Sequence, residues 1–365
     1  MRFTSNVGAC RISDEWTYRG MKVLIMENRE LRVVVVPDKG SDIVSFRHQP
    51  TNTEFMWESP IGLRSPARYV PTVSAPEGPF HDLYEGGWQE LLPGAGGFTP
   101  QAYAGGLIGL HGEVALYPWD CVVEVDSPQE IKARLTVETI RSPFRLEKWL
   151  TMRRDEPRLI IEEKLTNLGD EECAFMWGHH PVFGAPFLSA DCVIDVPAER
   201  CLTPITEGDA PFQPASRLPS NREFNWPLAE TRDGGRADLS QVPDPSIRTA
   251  DLAYLTGLRD GWCAITNRKS GVGFGMAFDR NVFRYIWLWQ PYGGAWGSPW
   301  FGRIYACGIE PHSSYPVQGL GEAIRNGTAL RLGPRQSMET RLVATAYRGN
   351  GAQRISPEGE VTPRA

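Results

Sequence analysis

The sequence predicts an all-β protein, a sandwich or a barrel, and three observations carry that expectation. The dominant hydrophobic period is two. No long stretch has the helical period that an α/β enzyme would need. Turn residues are dense, with 37 glycines and 30 prolines among 365 residues. Many short strands joined by tight turns bury their apolar sides only by packing face to face or by closing into a barrel.

Residues 22–26 and 31–36 flank Asn28-Arg29 and predict a hairpin. Pro37-Asp38-Lys39-Gly40 follows as a turn. From Ile131 the chain alternates, with Ile131, Ala133, Leu135 and Val137 on one face and Lys132, Arg134, Thr136 and Glu138 on the other. Residues 145–152, 159–165 and 341–347 read the same way, and Asn167-Leu168-Gly169-Asp170 punctuates them. Residues 203–251 are rich in Pro, Ser, Asp and Arg, which predicts a long excursion over the sheet, either a lid or a plain loop. Residues 1–348 are expected to form a single β-sandwich domain and residues 349–365 a flexible tail. There is no internal repeat, phosphate-binding loop or heptad.

A net charge of -6 with interspersed signs offers nothing to nucleic acid or to an anionic membrane. Neither a secretory leader nor an apolar run long enough to span a bilayer is legible, so a cytoplasmic protein is expected, for which a homodimer stays open. The seven cysteines, an odd number without close pairs, read as reduced and mostly buried thiols, not as a disulfide framework or a zinc ribbon.

Three distant segments carry the chemistry: Leu110-His111-Gly112-Glu113, Trp177-Gly178-His179-His180-Pro181-Val182-Phe183 and Gly308-Ile309-Glu310-Pro311-His312. A fold that brings them together assembles an acid/base pocket from several strands. His180 can deliver a proton near neutral pH, or it is a core histidine satisfied by a carbonyl. His179, its neighbour on a strand, points the other way, so at most one of the two enters the pocket and no metal is expected. Glu310 sits among Ile304, Ala306 and Ile309, where burial would raise its pKa and suit a base; a salt bridge to Arg303 or another arginine is the alternative. His312 shares its face and could hold it. His111 could bond a ligand hydroxyl, with Gly112 allowing close approach, or could simply occupy a turn. Trp287, Trp289, Tyr292, Trp296, Trp300 and Phe301, with Gln290, offer flat apolar faces beside an amide, a combination that suits sugars or a Trp-rich core. Glu85, Glu90 and Glu113 remain rival bases.

In their order along the chain these segments resemble the aldose 1-epimerase (galactose mutarotase-like) family. The run 31–36 with Pro37-Asp38-Lys39-Gly40-Ser41-Asp42-Ile43 is similar to the family's opening hairpin, and Leu110-His111-Gly112 to its Leu-His-Gly motif. His180-Pro181-Val182-Phe183 matches the stretch of the catalytic acid, Asp251 an aspartate that grips sugar hydroxyls, and Glu310 the catalytic base. The family's early arginine-bearing stretch is replaced by Gly86-Gly87-Trp88-Gln89-Glu90-Leu91-Leu92-Pro93, and His179 stands where an asparagine is usual, which marks a divergent branch.

The resemblance implies a large antiparallel β-sandwich, no cofactor, and interconversion of the anomers of a hexose or modified hexose by ring opening. Glu310 would take the anomeric proton and His180 protonate the ring oxygen. His111, Asp251, Gln290 and His179 would contact the sugar, and Trp289 would wall it in. A non-catalytic carbohydrate-binding protein on the same fold is one alternative. A phosphosugar epimerase is another; it needs paired arginines in the pocket, for which Arg64, Arg68 and Arg303 are the candidates.

Overall fold

Ile131, Ala133, Leu135 and Val137 are buried along the strand Glu130–Glu138, and their neighbours lie at or near the surface, as alternation requires. A computed structural model of the chain describes residues 9–68, 77–97, 99–103, 106–207, 210 and 212–364. That strand belongs to an antiparallel eight-stranded sheet, in the order Cys192–Asp195, Trp262–Asn267, Val272–Phe278, Ser337–Arg348, Arg158–Asn167, Phe144–Arg153, Glu130–Glu138, Asp120–Asp126.

The second large sheet has twelve strands. Its edge strand Arg11–Tyr18 pairs with the expected hairpin, Met21–Glu27 against Leu31–Val36, closed by Asn28, whose Oδ1 accepts the amides of Glu30 and Leu31 at 2.9 and 2.8 Å. Its centre runs through Trp88–Leu91, Gly178–Gly184, Ala306–His312, Tyr285–Tyr292 and Thr249–Thr256. Large antiparallel sheets packed through one core make this a β-sandwich.

Rings from both sheets interlock in that core: Phe46 meets Phe274 at 5.2 Å between centroids, and Phe183 meets Phe274 at 5.0 Å. Each such buried ring is worth roughly 2–3 kcal/mol of transfer free energy. The opposite face of the large sheet is not left to water. A second apolar cluster, including Phe80, Tyr84, Leu252, Trp287 and Trp300, covers its centre and surrounds the candidate site.

The excursion 203–251 contains the short strands Glu223–Asn225, Leu228–Glu230 and Arg236–Asp238. One expectation about the chain's organisation needs correction. Residues after 348 are not a loose tail. Ala352–Ile355 pairs with Val361–Pro363, Ala352 and Ile355 pack with Trp262 and Tyr347, and the buried Asp195 accepts from Ala352 N at 2.8 Å and pairs with Arg364 at 2.6 Å. Two apolar residues and one arginine are enough to dock a segment that composition alone marks as polar. Among the described residues no helix is long and apolar enough to cross a membrane.

Candidate active site

Period-two alternation decides which residues reach the site. On Gly178–Gly184, His179 turns inward to Glu163 of the opposing sheet, and His180 turns to the outer face. On Tyr285–Tyr292, Trp287 and Trp289 face outward, and on Thr249–Thr256 so do Ala250 and Leu252. Together with Glu310, His111, Phe80, His81, Tyr84 and Trp300 they line a cavity of about 170 Å³ that opens to solvent.

At its floor His180 Nε2 lies 3.5 Å from Glu310 Oε1, and His312 Nε2 lies 3.3 Å from Glu310 Oε2. All three side chains are almost completely buried. Among the described residues no arginine approaches Glu310, against the sequence's salt-bridge alternative, and His312, stacked on Trp287 at 4.2 Å, is the group that holds the carboxylate. The backbone makes room for this pair of contacts. A Cβ at Gly178 would come within 2.1 Å of His312 Nδ1, and one at Gly308 within 2.3 Å of Glu310 Oε1.

Burial sets the proton distribution. Glu310, desolvated with no cation beside it, has a pKa raised well above the usual carboxylate range. His180 is pushed down to about 4, first by burial, with the Lys39 ammonium adding to the effect against a backbone hydrogen bond. The favoured resting form is a carboxylic acid beside a neutral imidazole, one proton for the pair. Tyr84 OH makes a long contact, 3.4 Å, to His180 Nδ1.

His111 takes a left-handed conformation, φ 61°, and its Nδ1 accepts the Gly96 amide at 3.2 Å. That bond places the ring proton on Nε2, leaving a donor for a ligand oxygen. Burial lowers its pKa well below the ordinary value, and the neighbouring His180 adds to this. Gly112 serves the backbone and not a ligand, since a Cβ there would strike Leu92 O at 2.3 Å.

Three expected ligand contacts face away from the cavity, because each occupies the other parity of its strand. Asp251 accepts from Ser216 Oγ at 3.0 Å and from Arg217 N and Nε at 2.7 Å each. Gln290 donates to Leu239 O at 2.9 Å. His179 accepts from Trp88 Nε1 at 3.1 Å and meets Glu163 at 3.2 Å. The rival bases are also spoken for: Glu113 is held by Tyr117, Ser142 and two backbone amides, Glu90 by Lys148 and Trp177, and Glu85 by Lys39. Arg64, Arg68 and Arg303 are exposed and none lines the cavity. Of the aromatic run, Trp287, Trp289 and Trp300 form the wall, Tyr292 belongs to the inter-sheet core, and Trp296 and Phe301 are exposed.

Residues 18–345 match the family described as domain of unknown function DUF4432. The chain belongs to the DUF4432 family. No curated protein matches its sequence. Solved structures show what the DUF4432 chain is similar to in fold. A proposed aldose 1-epimerase from Klebsiella pneumoniae has 18% identity and a TM-score of 0.69, over 92% of this chain and 83% of that one. A galactose mutarotase-like protein from Clostridium acetobutylicum has 13% identity and a TM-score of 0.62, over 93% and 99%. A proposed aldose 1-epimerase from Escherichia coli has 17% identity and a TM-score of 0.60, over 90% and 100%.

Several residues of the DUF4432 site carry no sequence signal of their own. Phe80, His81 and Tyr84 come from the short helix Gly78–Leu83 and its end, and Phe212 and Gln213 from the excursion. One strand over from His180, Gln89 bonds Asp42 and Glu85, which flank the fully buried Lys39 ammonium. Burial opposes that charge, but the two carboxylates outweigh it and leave the Lys39 pKa above its ordinary value.

Between the sheets, Glu90, Glu163 and His179 bring three ligand atoms within 4.8 Å of one another. The donor set argues for an ion-pair network in this DUF4432 core. Trp88 donates to His179 Nδ1, so Nε2 carries the proton and gives it to Glu163, while Lys148 occupies Glu90 at 3.0 Å.

Proposed function

We propose that the chain is an aldose 1-epimerase-like isomerase that interconverts the α and β anomers of an aldose. The observation that carries this reading is the buried His180–Glu310 pair, 3.5 Å apart, at the floor of an aromatic cavity. Anomer exchange needs one group to take the proton of the anomeric hydroxyl and one to give a proton to the ring oxygen. The aldehyde then forms, the adjacent bond rotates, and the ring recloses on the other face.

In this reading Glu310 is the base and His180 the acid. The ionised form of the pair is reached from the resting form by moving one proton across the 3.5 Å contact. A sugar hydroxyl donating to Glu310 favours that transfer, because hydrogen bonds to a carboxylate stabilise its charge. In this reading the Nε2–H of His111 holds the ring oxygen or a neighbouring hydroxyl, supported by the Gly96 amide on its Nδ1. Trp289 and Trp300 keep the open-chain intermediate from escaping during the rotation. The absence of cationic lining residues among the described side chains speaks against a phosphosugar epimerase.

Proton NMR of freshly dissolved aldoses, with wild type, Glu310→Gln and His180→Asn, tests the proposal. Wild type is expected to accelerate anomer exchange, and each variant to lose about a hundredfold to ten-thousandfold of that acceleration. Exchange left at the buffer rate by wild type, with a sugar's signals broadened by binding, would make the chain a carbohydrate-binding protein instead.

A further inference from the structure

The substrate class can be read from what the cavity offers to a sugar beyond its reducing end; this step rests on the epimerase reading. No lysine or arginine lines the cavity among the described residues. His81, His111 and His180 are all shifted towards the neutral imidazole, in each case first by burial. Glu310 is the sole carboxylate of the described lining. A phosphate, sulfonate or carboxylate brought into this space would lose its hydration with no cation to replace it.

Hydroxyls fare only slightly better. A buried hydroxyl needs a partner, and an ordinary aldohexose carries one on nearly every carbon. With His180 and Glu310 engaged at the anomeric centre, His81, His111 and Gln213 are the other hydrogen-bonding side chains of the described lining, apart from Tyr84 and the indoles. Tyr84 OH already contacts His180, and Trp287 Nε1 donates to Ser314 O at 3.0 Å. Asp251 and Gln290 bond elsewhere, on the far side of their strands. Apart from the Trp289 and Trp300 indoles, the remaining described wall is ring and alkyl surface.

We propose that the cavity takes an uncharged, hydroxyl-poor aldose of the 6-deoxyhexose kind, with its reducing end at His180 and Glu310 and its deoxygenated edge against the aromatic wall. The missing hydroxyl is one for which the described part of the wall has no partner. The same wall rejects sugars whose exocyclic carbon carries an anion.

The test sets 6-deoxygalactose against galactose, and 6-deoxyglucose against glucose, glucose 6-phosphate and glucuronate. Anomer exchange and saturation-transfer binding are read by NMR on the full chain. Expected is a kcat/KM for each 6-deoxy sugar higher than for its parent by about tenfold or more, with no acceleration and no saturation transfer for the two anions. Parents handled as well as their 6-deoxy forms, or turnover of either anion, would overturn the proposal. Should no sugar exchange faster, the epimerase reading fails, and the binding order alone judges the substrate class: 6-deoxy sugars binding ahead of their parents sustains it, and any other order, or no binding at all, overturns it.

Discussion

Arg217 Nε lies 2.7 Å from Asp251 Oδ2, and the Arg217 amide lies 2.7 Å from Oδ1 of the same carboxylate. Asp251 is thus the anchor of the excursion that brings Phe212 and Gln213 to the cavity, and not itself a cavity residue. Arg217→Ala leaves a buried carboxylate without its cation and is expected to cost about 3 kcal/mol in urea unfolding. Under the proposed epimerase reading, KM should rise with it, because Gln213 loses its support. A rise in KM for Asp251→Asn with stability unchanged would argue that Asp251 touches the sugar directly.

Gly308 provides a finer test of the floor. A methyl there would sit 2.3 Å from Glu310 Oε1, so Gly308→Ala must displace the carboxylate from His180. Since misplacement of about 1 Å can cost on the order of a hundredfold in rate, kcat for anomer exchange is expected to fall at least tenfold. Sugar binding, followed by saturation transfer, should change much less. Equal losses in both would mean that the strand as a whole has moved.

Sequence reasoning reached the residues whose signal is periodic or local. Alternation from Ile131 gave the strand, and adjacency of His179 and His180 required opposite faces, which is how they lie. It could not reach Asp251 and Gln290 correctly. Both stand one residue from a true lining position, Ala250 or Leu252 and Trp289, and a pattern match carries no parity. His81, Tyr84 and Gln213 were invisible for another reason: they enter from a short helix and a loop, where neither period applies. The closing hairpin was misread because its polar composition hid two apolar anchors and the Arg364–Asp195 pair.

Lys39 couples stability to the site. Lys39→Met leaves Asp42 and Glu85 buried without a cation, and a loss of about 3–5 kcal/mol is expected in denaturant unfolding. Its charge also lowers the His180 pKa, so removing it should move that pKa upward from about 4. An NMR titration of the His180 ring in the folded variant reads this shift. An unmoved titration would confine Lys39 to a structural role.

Glu163 makes stability depend on pH. Burial first, and the charge of Glu90 next, raise its pKa from 4.5 to about 7. The folded chain therefore holds a proton there that the unfolded chain has released. The stabilisation is full below pH 4.5 and is lost as pH rises to about 7, amounting to at most about 3 kcal/mol at 1.36 kcal/mol per pKa unit. Glu163→Gln should flatten this part of the profile relative to wild type, as measured by urea unfolding at pH values on either side. A profile equally steep in the variant would place the titrating group elsewhere.

The pH profile of anomer exchange tests the site pair as a unit, since a coupled acid and base titrate with values that belong to both. Exchange needs one proton on the His180–Glu310 pair. Below about pH 4 His180 gains a second, so kcat/KM should climb as pH rises through that value. The descending limb comes where Glu310 surrenders the last proton, and burial places it well above the usual carboxylate range. Glu310→Gln should abolish the ascending limb, and whatever activity survives should fall as pH rises through the His180 pKa, because His180 alone must then carry the proton. An ascending limb near the ordinary histidine pKa of about 6.5 would instead mean that His180 is hydrated in the working enzyme, and that the dry pair is not the form that meets the sugar.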